Sequence, residues 1–341
     1  MAEESNYNNK DDEEYLSCEY LQGGLNFHAF NISTCNFWTK GLIFYKLNGP
    51  DGKKTKIDFN EIDKIRRNVI EKREIPDGCK GCFNLKKKKW KYTSKISILD
   101  IDHWQDCNCG CIYCSNLGLK YAKFLQNGTK KSDFYDVYPI LEEIYKQNKF
   151  AKKLKVSTAG GEPANLEEYP DIVRLFLKNE EENGCDSEIS YLTSGIKYIP
   201  EVAAALEKPN KFLTTSLDCG CRETYLKIKR TDAFDDCIKN LKEYISHAKD
   251  KNQVILKYIF LPNINDNVEE IDKFFEVVKN IGCTNVSFAL EFCQALRHKK
   301  GQKIPKNLYG LFDYAEKKAK DLNINYFVFD IVKDLLEKGH Y

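Results

Sequence analysis

From residue 96 onward, short β-like apolar runs alternate with amphipathic segments. The runs that predict strands are 96–101, 154–158, 188–193, 212–217, 254–260 and 286–290. Between the last two, Ile271, Phe275 and Val278 recur at the spacing of one helix face. Strands that alternate with helices are typical of βα units and a parallel sheet. The sequence therefore predicts an α/β fold, and periodicity alone leaves an open doubly wound sheet and a partial barrel as alternatives.

The segments before and after this region do not show the same alternation of strand and helix patterns. The amino-terminal part has short aromatic stretches, turn signals and scattered cysteines, and the carboxyl-terminal part predicts a helix near 308–322 and a strand near 326–329. The predicted organisation is a disordered tail at 1–14, a small irregular α+β domain at 15–92, the main α/β domain at 93–300 and a helix–strand–helix extension at 301–341.

The cysteine content points to metal binding. The acidic start lacks the basic and apolar regions of a signal peptide, and no run approaches the roughly 18 to 20 apolar residues of a membrane-spanning helix. We therefore expect a cytoplasmic protein with no membrane partner. In such a reducing compartment the 14 cysteines cannot be explained as a disulfide framework. Several occur in short-spaced groups, as metal ligands do.

The charge balance gives no reason to expect a nucleic-acid partner. The chain has 53 basic and 51 acidic residues, for a formal net charge of +2, which creates no global field that attracts phosphates. One local run of lysines spans 86–91 and is interrupted by Trp90. We interpret this run as a solvated surface strand or turn, with contact to phosphates as the alternative.

A cysteine-rich loop follows the first predicted strand. Cys107, Cys111 and Cys114 supply three thiolates from one short loop, whereas a [4Fe–4S] cluster has four irons and typically takes four cysteines. Three ligands would leave one iron open to chelate a substrate or cofactor. Cys109 offers a second spacing, and we treat it as a non-ligand. A structural zinc site and a redox dithiol are the alternative interpretations of the loop.

With the aromatic Tyr113 before its last cysteine, this loop resembles the signature of the radical S-adenosylmethionine superfamily. Further motifs follow in order, each at the end of a predicted strand: a Gly-Gly-Glu-Pro turn, a Thr-Ser-Gly turn and a Ser-Leu-Asp turn. The resemblance implies that the glycine-rich turn receives the methionine amino group, that the next turn contacts the ribose, and that an arginine holds the methionine carboxylate. The residues it implies for cofactor binding are Tyr113, Gly160, Gly161, Glu162, Pro163, Ser194, Ser216, Asp218 and Arg230.

The resemblance covers roughly residues 95 to 295 and implies a partial (β/α)6 barrel. It also implies reductive cleavage of S-adenosylmethionine to a 5′-deoxyadenosyl radical that abstracts hydrogen from a substrate. The implied partners are an external electron donor such as flavodoxin or ferredoxin and a small molecule, sugar derivative or peptide as substrate. Epimerisation, dehydrogenation and bond formation all remain open, because one scaffold hosts many chemistries.

Four cysteines before the barrel form a second candidate metal site. Cys79 and Cys82 have the spacing of a ligand pair, and Cys18 and Cys35 can be folded back onto them. In family terms the set resembles an auxiliary [4Fe–4S] cluster, although such domains usually follow the barrel. Structural zinc and free thiols are the alternatives.

Other residues near the predicted strand ends have two interpretations each. Cys219 and Cys221 follow the fourth strand and are candidate hydrogen-atom donors to a substrate radical, with burial as small apolar side chains as the alternative. The residues with a weaker case for contact to substrate or cofactor are Cys293, Lys257, Glu291 and Arg297. His103 and Trp104, just before the cysteine-rich loop, are expected to pack around it rather than to take part in the chemistry. Those expected only to pack are Cys185, Cys237 and Cys283.

Two further functions remain open from the sequence. A zinc-stabilised, non-catalytic binding module explains the cysteine groups but has no need of the glycine-rich turn. A radical enzyme of the same superfamily that modifies RNA would use the lysines at 86–91 and 152–155 and would bind RNA with strong salt dependence.

Overall fold

The computed structural model describes residues 13–28, 31–35, 41–46, 56–104, 106–114, 135–291 and 306–329. Its strands are β1 (Glu14–Ser17), β2 (Gly24–His28), β3 (Asn31–Ser33), β4 (Ile43–Lys46), β5 (Lys86–Lys89), β6 (Ile96–Asp102), β7 (Phe150–Thr158), β8 (Asp186–Leu192), β9 (Lys211–Ser216), β10 (Val254–Phe260), β11 (Asn285–Leu290) and β12 (Asn325–Val328). Its α-helices are α1 (Glu19–Gly23), α2 (Phe59–Lys72), α3 (Tyr138–Lys146), α4 (Tyr169–Asn183), α5 (Pro200–Leu206), α6 (Arg222–Lys229), α7 (Phe234–His247), α8 (Val268–Ile281) and α9 (Lys306–Asp321). None of the helices in these ranges is long and apolar enough to cross a membrane.

The chain divides into two compact units. The first takes its described residues from Met1–Asp106, Leu125–Gly161 and Asp171–Ile189. The second takes them from Cys107–Phe124, Glu162–Pro170 and Ser190–Tyr341. The glycine-rich turn is therefore divided in the chain, with Gly160 and Gly161 at the end of a first-unit segment.

The first unit contains a mixed sheet and a separate two-stranded ribbon. In the sheet, β6 lies between β2 and β7, and both neighbours run parallel to it. Strands β3 and β4 continue from β2 in antiparallel order. The ribbon pairs β1 with β5, whose four lysines are all exposed. This exposure agrees with the interpretation of residues 86–91 as a solvated surface strand.

The second unit contains four adjacent parallel strands in the order β9, β10, β11, β12. One face of these strands is apolar and packs against the helices that connect them. There the Tyr258 ring lies 4.9 Å from that of Phe274 in α8, and the Phe260 ring lies 4.4 Å from that of Phe312 in α9. Alternate residues, among them Lys257, point to the opposite face. The unit thus has one helix-covered face and one face that carries polar side chains.

Each of the six predicted strands is present, as β6 to β11, and the predicted α/β class is confirmed. The predicted helix and strand after residue 300 correspond to α9 and β12, and the second predicted helix of that extension lies outside the described residues. Strand β1 begins at Glu14, at the predicted end of the tail. Because β2 pairs with β6, part of the predicted amino-terminal domain joins the first barrel strand. The domain boundary near residue 92 stays a prediction.

Candidate active site

The cysteine-rich loop is fastened to the end of helix α6. The Gly110 amide donates to the Lys229 carbonyl at 2.8 Å, and the Ile112 amide donates to the Ile228 carbonyl at 3.0 Å. The last carbonyls of a helix have no partner inside the helix, so the loop amides satisfy two of them. A Cβ on Gly110 would lie 3.3 Å from the Cβ of Arg230, which leaves little room for a side chain. The loop therefore has a defined backbone position within the second unit.

The four loop cysteines differ in exposure and in environment. Cys107 is exposed, Cys111 and Cys114 are half-buried, and Cys109 is buried. A hydrogen bond from the Cys109 thiol lowers the pKa of Cys107, and together with the charge of Lys229 it lowers the pKa of Cys111 to about 7, against burial. The same hydrogen bonds, together with burial, raise the pKa of Cys109 itself. The hydrogen bonds of the Cys109 thiol thus favour the thiolate forms of Cys107 and Cys111.

A buried polar network lies directly beneath the loop. The Tyr113 hydroxyl donates to Asp218 Oδ2 at 2.5 Å, and the Lys229 ammonium lies 2.5 Å from the same oxygen and 2.7 Å from the tyrosine oxygen. The Lys229 side chain is 5% exposed and that of Asp218 is 0% exposed. Burial opposes the charge of Lys229, but Asp218 and Tyr113 hold the pKa of its ammonium well above the ordinary value. The network joins the cysteine-rich loop, the end of β9 and the end of α6.

Asp218 is itself held in place by the neighbouring strand β10. Its backbone is left-handed, with φ at +64°, a conformation that a non-glycine residue adopts only when its surroundings determine it. Its Oδ1 accepts the Ile259 amide at 2.8 Å, and its carbonyl accepts the Asn265 side-chain amide at 2.7 Å. Both carboxylate oxygens of Asp218 are therefore occupied by partners from the protein.

Glu162 of the glycine-rich turn forms a second network, with the turn that follows β8. Its carboxylate accepts the Thr193 hydroxyl at 2.7 Å and the Ser194 amide at 2.5 Å. The Ser194 hydroxyl in turn donates to the side chain of Asn108, in the cluster loop, at 3.1 Å. Because Glu162 is 1% exposed, these bonds fix the turn and tie it to the loop.

The two glycines of the turn approach backbone closely within the first unit. Gly160 has φ at +102°, and a Cβ there would lie 2.7 Å from the Trp104 carbonyl oxygen and 3.0 Å from that of Asp102. The Gly161 amide donates to the same Trp104 carbonyl at 3.0 Å. Only glycine fits at residue 160 without displacing backbone. Trp104 and its neighbour His103 are buried, in agreement with the packing role expected for both.

Two predicted cofactor residues lie at the ends of their elements, as expected. Ser216 ends β9 and pairs with Lys257 on β10. Arg230 is the left-handed cap of α6, with φ at +54°, and its side chain is exposed. The buried charge at this helix end belongs to Lys229, which sequence reasoning missed. Adjacent basic residues at a helix end give no sequence signal of which one points inward.

The contacts of Cys219 and Cys221 favour the packing interpretation. Cys219 is completely buried, and its thiol donates to the Leu217 carbonyl. The Cys221 thiol donates to the Thr224 hydroxyl at 3.3 Å. A Cβ on Gly220, between them, would lie 2.0 Å from backbone of α8, so this segment lies against the helix layer. A role for either cysteine as hydrogen-atom donor stays a prediction, and Cys293 and Arg297 lie outside the described residues.

The amino-terminal cysteines are close neighbours in the first unit. Cys18 precedes α1 and accepts the Leu21 amide at 3.4 Å, and Cys79 and Cys82 lie on one tight turn. Burial, together with charge repulsion from Cys35, Cys18 and Cys82, raises the pKa of Cys79 to about 12. Cys18 and Cys79 are also buried in one small apolar cluster with Leu21.

Both cysteine sets match the chemistry of a soft-metal or iron–sulfur site, since thiolates are the preferred ligands there. Among the described residues, no three histidine, cysteine or acidic side chains are already arranged to hold a metal ion. The three cysteines expected only to pack, Cys185, Cys237 and Cys283, are all buried.

The site residues lie in a region of the chain that matches a known protein family. A family model described as the radical SAM superfamily matches residues 101–277, from within β6 to within α8. The match contains the cluster loop, the glycine-rich turn, Asp218 and Lys229.

Curated relatives match at low identity. The chain is 23% identical over 227 residues to a probable dual-specificity RNA methyltransferase RlmN of Streptococcus pneumoniae serotype 19F (strain G54), covering 62% of this chain and 59% of that protein. It is 22% identical over 213 residues to the protein of the same description from Streptococcus gordonii, covering 59% of this chain and 55% of that protein. The chain therefore matches less than two thirds of the length of these relatives.

Solved structures are similar at still lower identity. Streptococcus suis SuiB bound to the precursor peptide SuiA is 16% identical with a TM-score of 0.49, covering 84% of this chain and 57% of that chain. A radical SAM methyltransferase from Sphaerobacter thermophilus is 12% identical with a TM-score of 0.45, covering 80% of this chain and 84% of that chain.

Proposed function

The chain belongs to the radical SAM superfamily, and from this premise we propose that Cys107, Cys111 and Cys114 hold a [4Fe–4S] cluster with one open iron. Membership makes the chain an enzyme, so the non-catalytic zinc module is set aside. The observation that carries the proposal is the anchored loop with thiols at these positions, at the end of β6. When bound, the cluster supplies the electron that cleaves S-adenosylmethionine to a 5′-deoxyadenosyl radical, and an external reductant such as flavodoxin or ferredoxin restores that electron.

The protein's own residues are proposed to position the cofactor and exclude side reactions. Lys229 and Asp218 hold Tyr113 from below, so the tyrosine ring can contact the cofactor while its hydroxyl is fixed. Glu162 holds Ser194 in the turn that the family resemblance assigns to the ribose. Ser216 and Arg230 are retained as proposed cofactor contacts, because each lies beside the network.

The proposal is tested on protein purified without oxygen and reconstituted with iron and sulfide. With dithionite and S-adenosylmethionine, the wild type should form 5′-deoxyadenosine. Ala at Cys107, Cys111 or Cys114 should abolish this product together with the loop's iron. A matched control is Cys283→Ala, at a buried cysteine outside both sets. Undiminished deoxyadenosine from all three ligand variants contradicts the assignment.

Cys18, Cys35, Cys79 and Cys82 are proposed to bind an auxiliary [4Fe–4S] cluster. The burial of Cys18 and Cys79 in one apolar cluster supports this, and so does the amide hydrogen bond to the Cys18 sulfur, because donors to sulfur tune such clusters. Structural zinc uses the same four thiolates. Metal analysis of the Cys79→Ala variant separates the two: loss of roughly four irons supports the cluster, and loss of one zinc with iron unchanged refutes it.

RNA modification is the second candidate function, favoured by the description of the curated relatives. The chain covers 59% of the length of one such relative. An RNA substrate is therefore only proposed for this chain. The exposed lysines of β5 would supply phosphate contacts. RNA binding that weakens steeply with salt, and weakens further on Lys87→Gln plus Lys89→Gln, supports this function. Binding without that response leaves a small molecule or peptide as the substrate.

A further inference from the structure

Lys257 lies on the face of the second unit's sheet opposite to the one that packs against α8 and α9. In the register of parallel strands it aligns with Ser216 on β9 and Ser287 on β11, and Ser287 aligns with Phe327 on β12. Residues aligned in this way point to the same face. The opposite face, with Tyr258 and its neighbours, is already packed by helices. A row of four side chains, Ser216, Lys257, Ser287 and Phe327, therefore crosses the face that carries Lys257.

The ammonium of Lys257 has no anionic partner within the described part of the chain. The Lys257 Nζ atom lies over the ring of Phe329, 4.3 Å from the ring centroid. Burial lowers the pKa of Lys257, with Asp218 opposing and Lys229 adding to that shift. Lys229, by contrast, is neutralised by Asp218 at 2.5 Å. Lys257 has no counter-charge among the described residues, so an anion bound here would stabilise its charged form.

A second unmet polar group lies beside this lysine. Ser287 is 0% exposed, and its hydroxyl has no hydrogen-bond partner among the described residues. Leaving a buried hydroxyl unpaired is unfavourable, so a bound acceptor beside Ser287 would gain its hydrogen bond. A carboxylate or phosphate could accept from the ammonium and the hydroxyl together.

Two aromatic side chains continue from this point toward the sheet edge. Phe327 is 40% exposed and Phe329 is 38% exposed, with ring centroids 5.6 Å apart. Exposed rings next to an unpaired cation form a surface that suits a ligand with an apolar or aromatic part and a negative charge. Glu291 follows β11 on the same face, but it is roughly 13 Å along the strand from Ser287 and does not neutralise the lysine there.

We propose that Lys257 and Ser287 bind an anionic group, a carboxylate or phosphate, of the substrate, whose apolar part packs on Phe327 and Phe329. This inference rests on the proposed function, which requires that a substrate binds. The subsite extends from β10 toward β12, whereas Asp218 and Tyr113, the proposed cofactor side, lie toward β9. We assign the anion to the substrate, and the S-adenosylmethionine affinity of a Lys257 variant tests this assignment against the carboxylate of the cofactor.

The test uses reconstituted holoenzyme with benzoate and phenyl phosphate as probes, and benzyl alcohol as the uncharged comparison. Binding is measured by ligand-observed NMR titration. We expect the anions to bind at least about tenfold more tightly than the alcohol, and Lys257→Met to remove that preference. Lys257→Arg should retain it. Lys239→Met, at an exposed lysine on α7, removes the same charge and should change nothing.

Equal binding of benzoate to the wild type and Lys257→Met overturns the proposal. A parallel loss of S-adenosylmethionine affinity in Lys257→Met also overturns it, because the lysine would then serve the cofactor. Should Lys257→Met not fold, as judged by iron content and circular dichroism, Lys257→Gln takes its place. Deoxyadenosine formation is assayed on the same wild-type sample. Its absence beside lysine-dependent benzoate binding rejects the proposed function and leaves the anion subsite standing.

Discussion

The Lys229 ammonium lies 2.5 Å from the Asp218 carboxylate, and neither side chain has more than 5% of its surface exposed. This buried pair connects the end of α6 to the end of β9, directly beneath the cysteine-rich loop. Replacing one partner leaves an uncompensated charge in the interior, which typically costs about 3–5 kcal/mol. The pair is therefore a sensitive point for both stability and site geometry.

We expect Lys229→Met to lower the free energy of unfolding by about 3 kcal/mol or more, because Asp218 would remain buried and charged. Urea denaturation of the protein under reducing conditions gives this value. The matched control is the Arg222–Asp232 pair, whose side chains are 59% and 51% exposed. Arg222→Met should cost no more than about 1 kcal/mol. Equal losses in the two variants would show that the buried pair has no special structural role.

Gly160→Ala should destabilise the protein more than a substitution at another glycine with positive φ. A Cβ at residue 160 would lie 2.7 Å from a backbone oxygen, in addition to the strain of its φ of +102°. We expect a loss of about 2–4 kcal/mol on thermal or urea unfolding. Gly282→Ala is the control, since Gly282 has φ at +74° and no heavy atom within 4 Å of its Cβ position. It should cost about 1 kcal/mol, and a similar cost at both sites would argue against the close approach.

Cys109→Ala should leave the cluster in place. Cys109 is buried, and its amide donates to the Cys107 sulfur at 3.4 Å, so its backbone serves the loop while its side chain stays between the proposed ligands. Iron content and the electron paramagnetic resonance signal of the reduced sample should match the wild type, whereas Cys111→Ala should lose roughly four irons. A Cys109 variant that is as iron-poor as the Cys111 variant would make Cys109 a ligand.

Asp100→Asn should stabilise the protein in a pH-dependent manner. Burial raises the pKa of Asp100 from 3.8 to about 6, so the folded state binds this proton more tightly than the unfolded chain. Its stabilising contribution is complete below pH 3.8 and is lost as pH rises through about 6. At pH 8 the Asn variant should be more stable by up to about 3 kcal/mol, and at pH 3.5 the difference should vanish. Urea titrations at both pH values check this, with the exposed Asp313→Asn as control.

Much of the second unit was predictable because apolar periodicity encodes which residues face the helices. The runs at 254–260 and 286–290 became β10 and β11 with bounds shifted by at most one residue. Periodicity could not, however, show that Asp218 turns inward. That orientation depends on an Asn265 side chain 47 residues away in sequence, and long-range hydrogen bonds leave no local pattern.

The site was predictable where it consists of short motifs and unpredictable where it consists of pairings between them. Cys107, Cys111 and Cys114 follow a spacing, and Gly160 follows a strand. Lys229 has no spacing that sets it apart from Arg230, and the Asn108 to Ser194 bond joins two motifs that sequence treats separately. The cysteine spacing and the position of Gly160 after a strand can be read from the local sequence. The inward orientation of Lys229 and the bond between Asn108 and Ser194 arise only when the chain folds.

The amides of Gly110 and Ile112 finish helix α6 at the same time as they shape the cysteine-rich loop. The conformational entropy of that backbone is consequently lost when the protein folds, and not when iron binds. A change that unwinds the last turn of α6 would therefore also displace the cysteines on either side of Gly110.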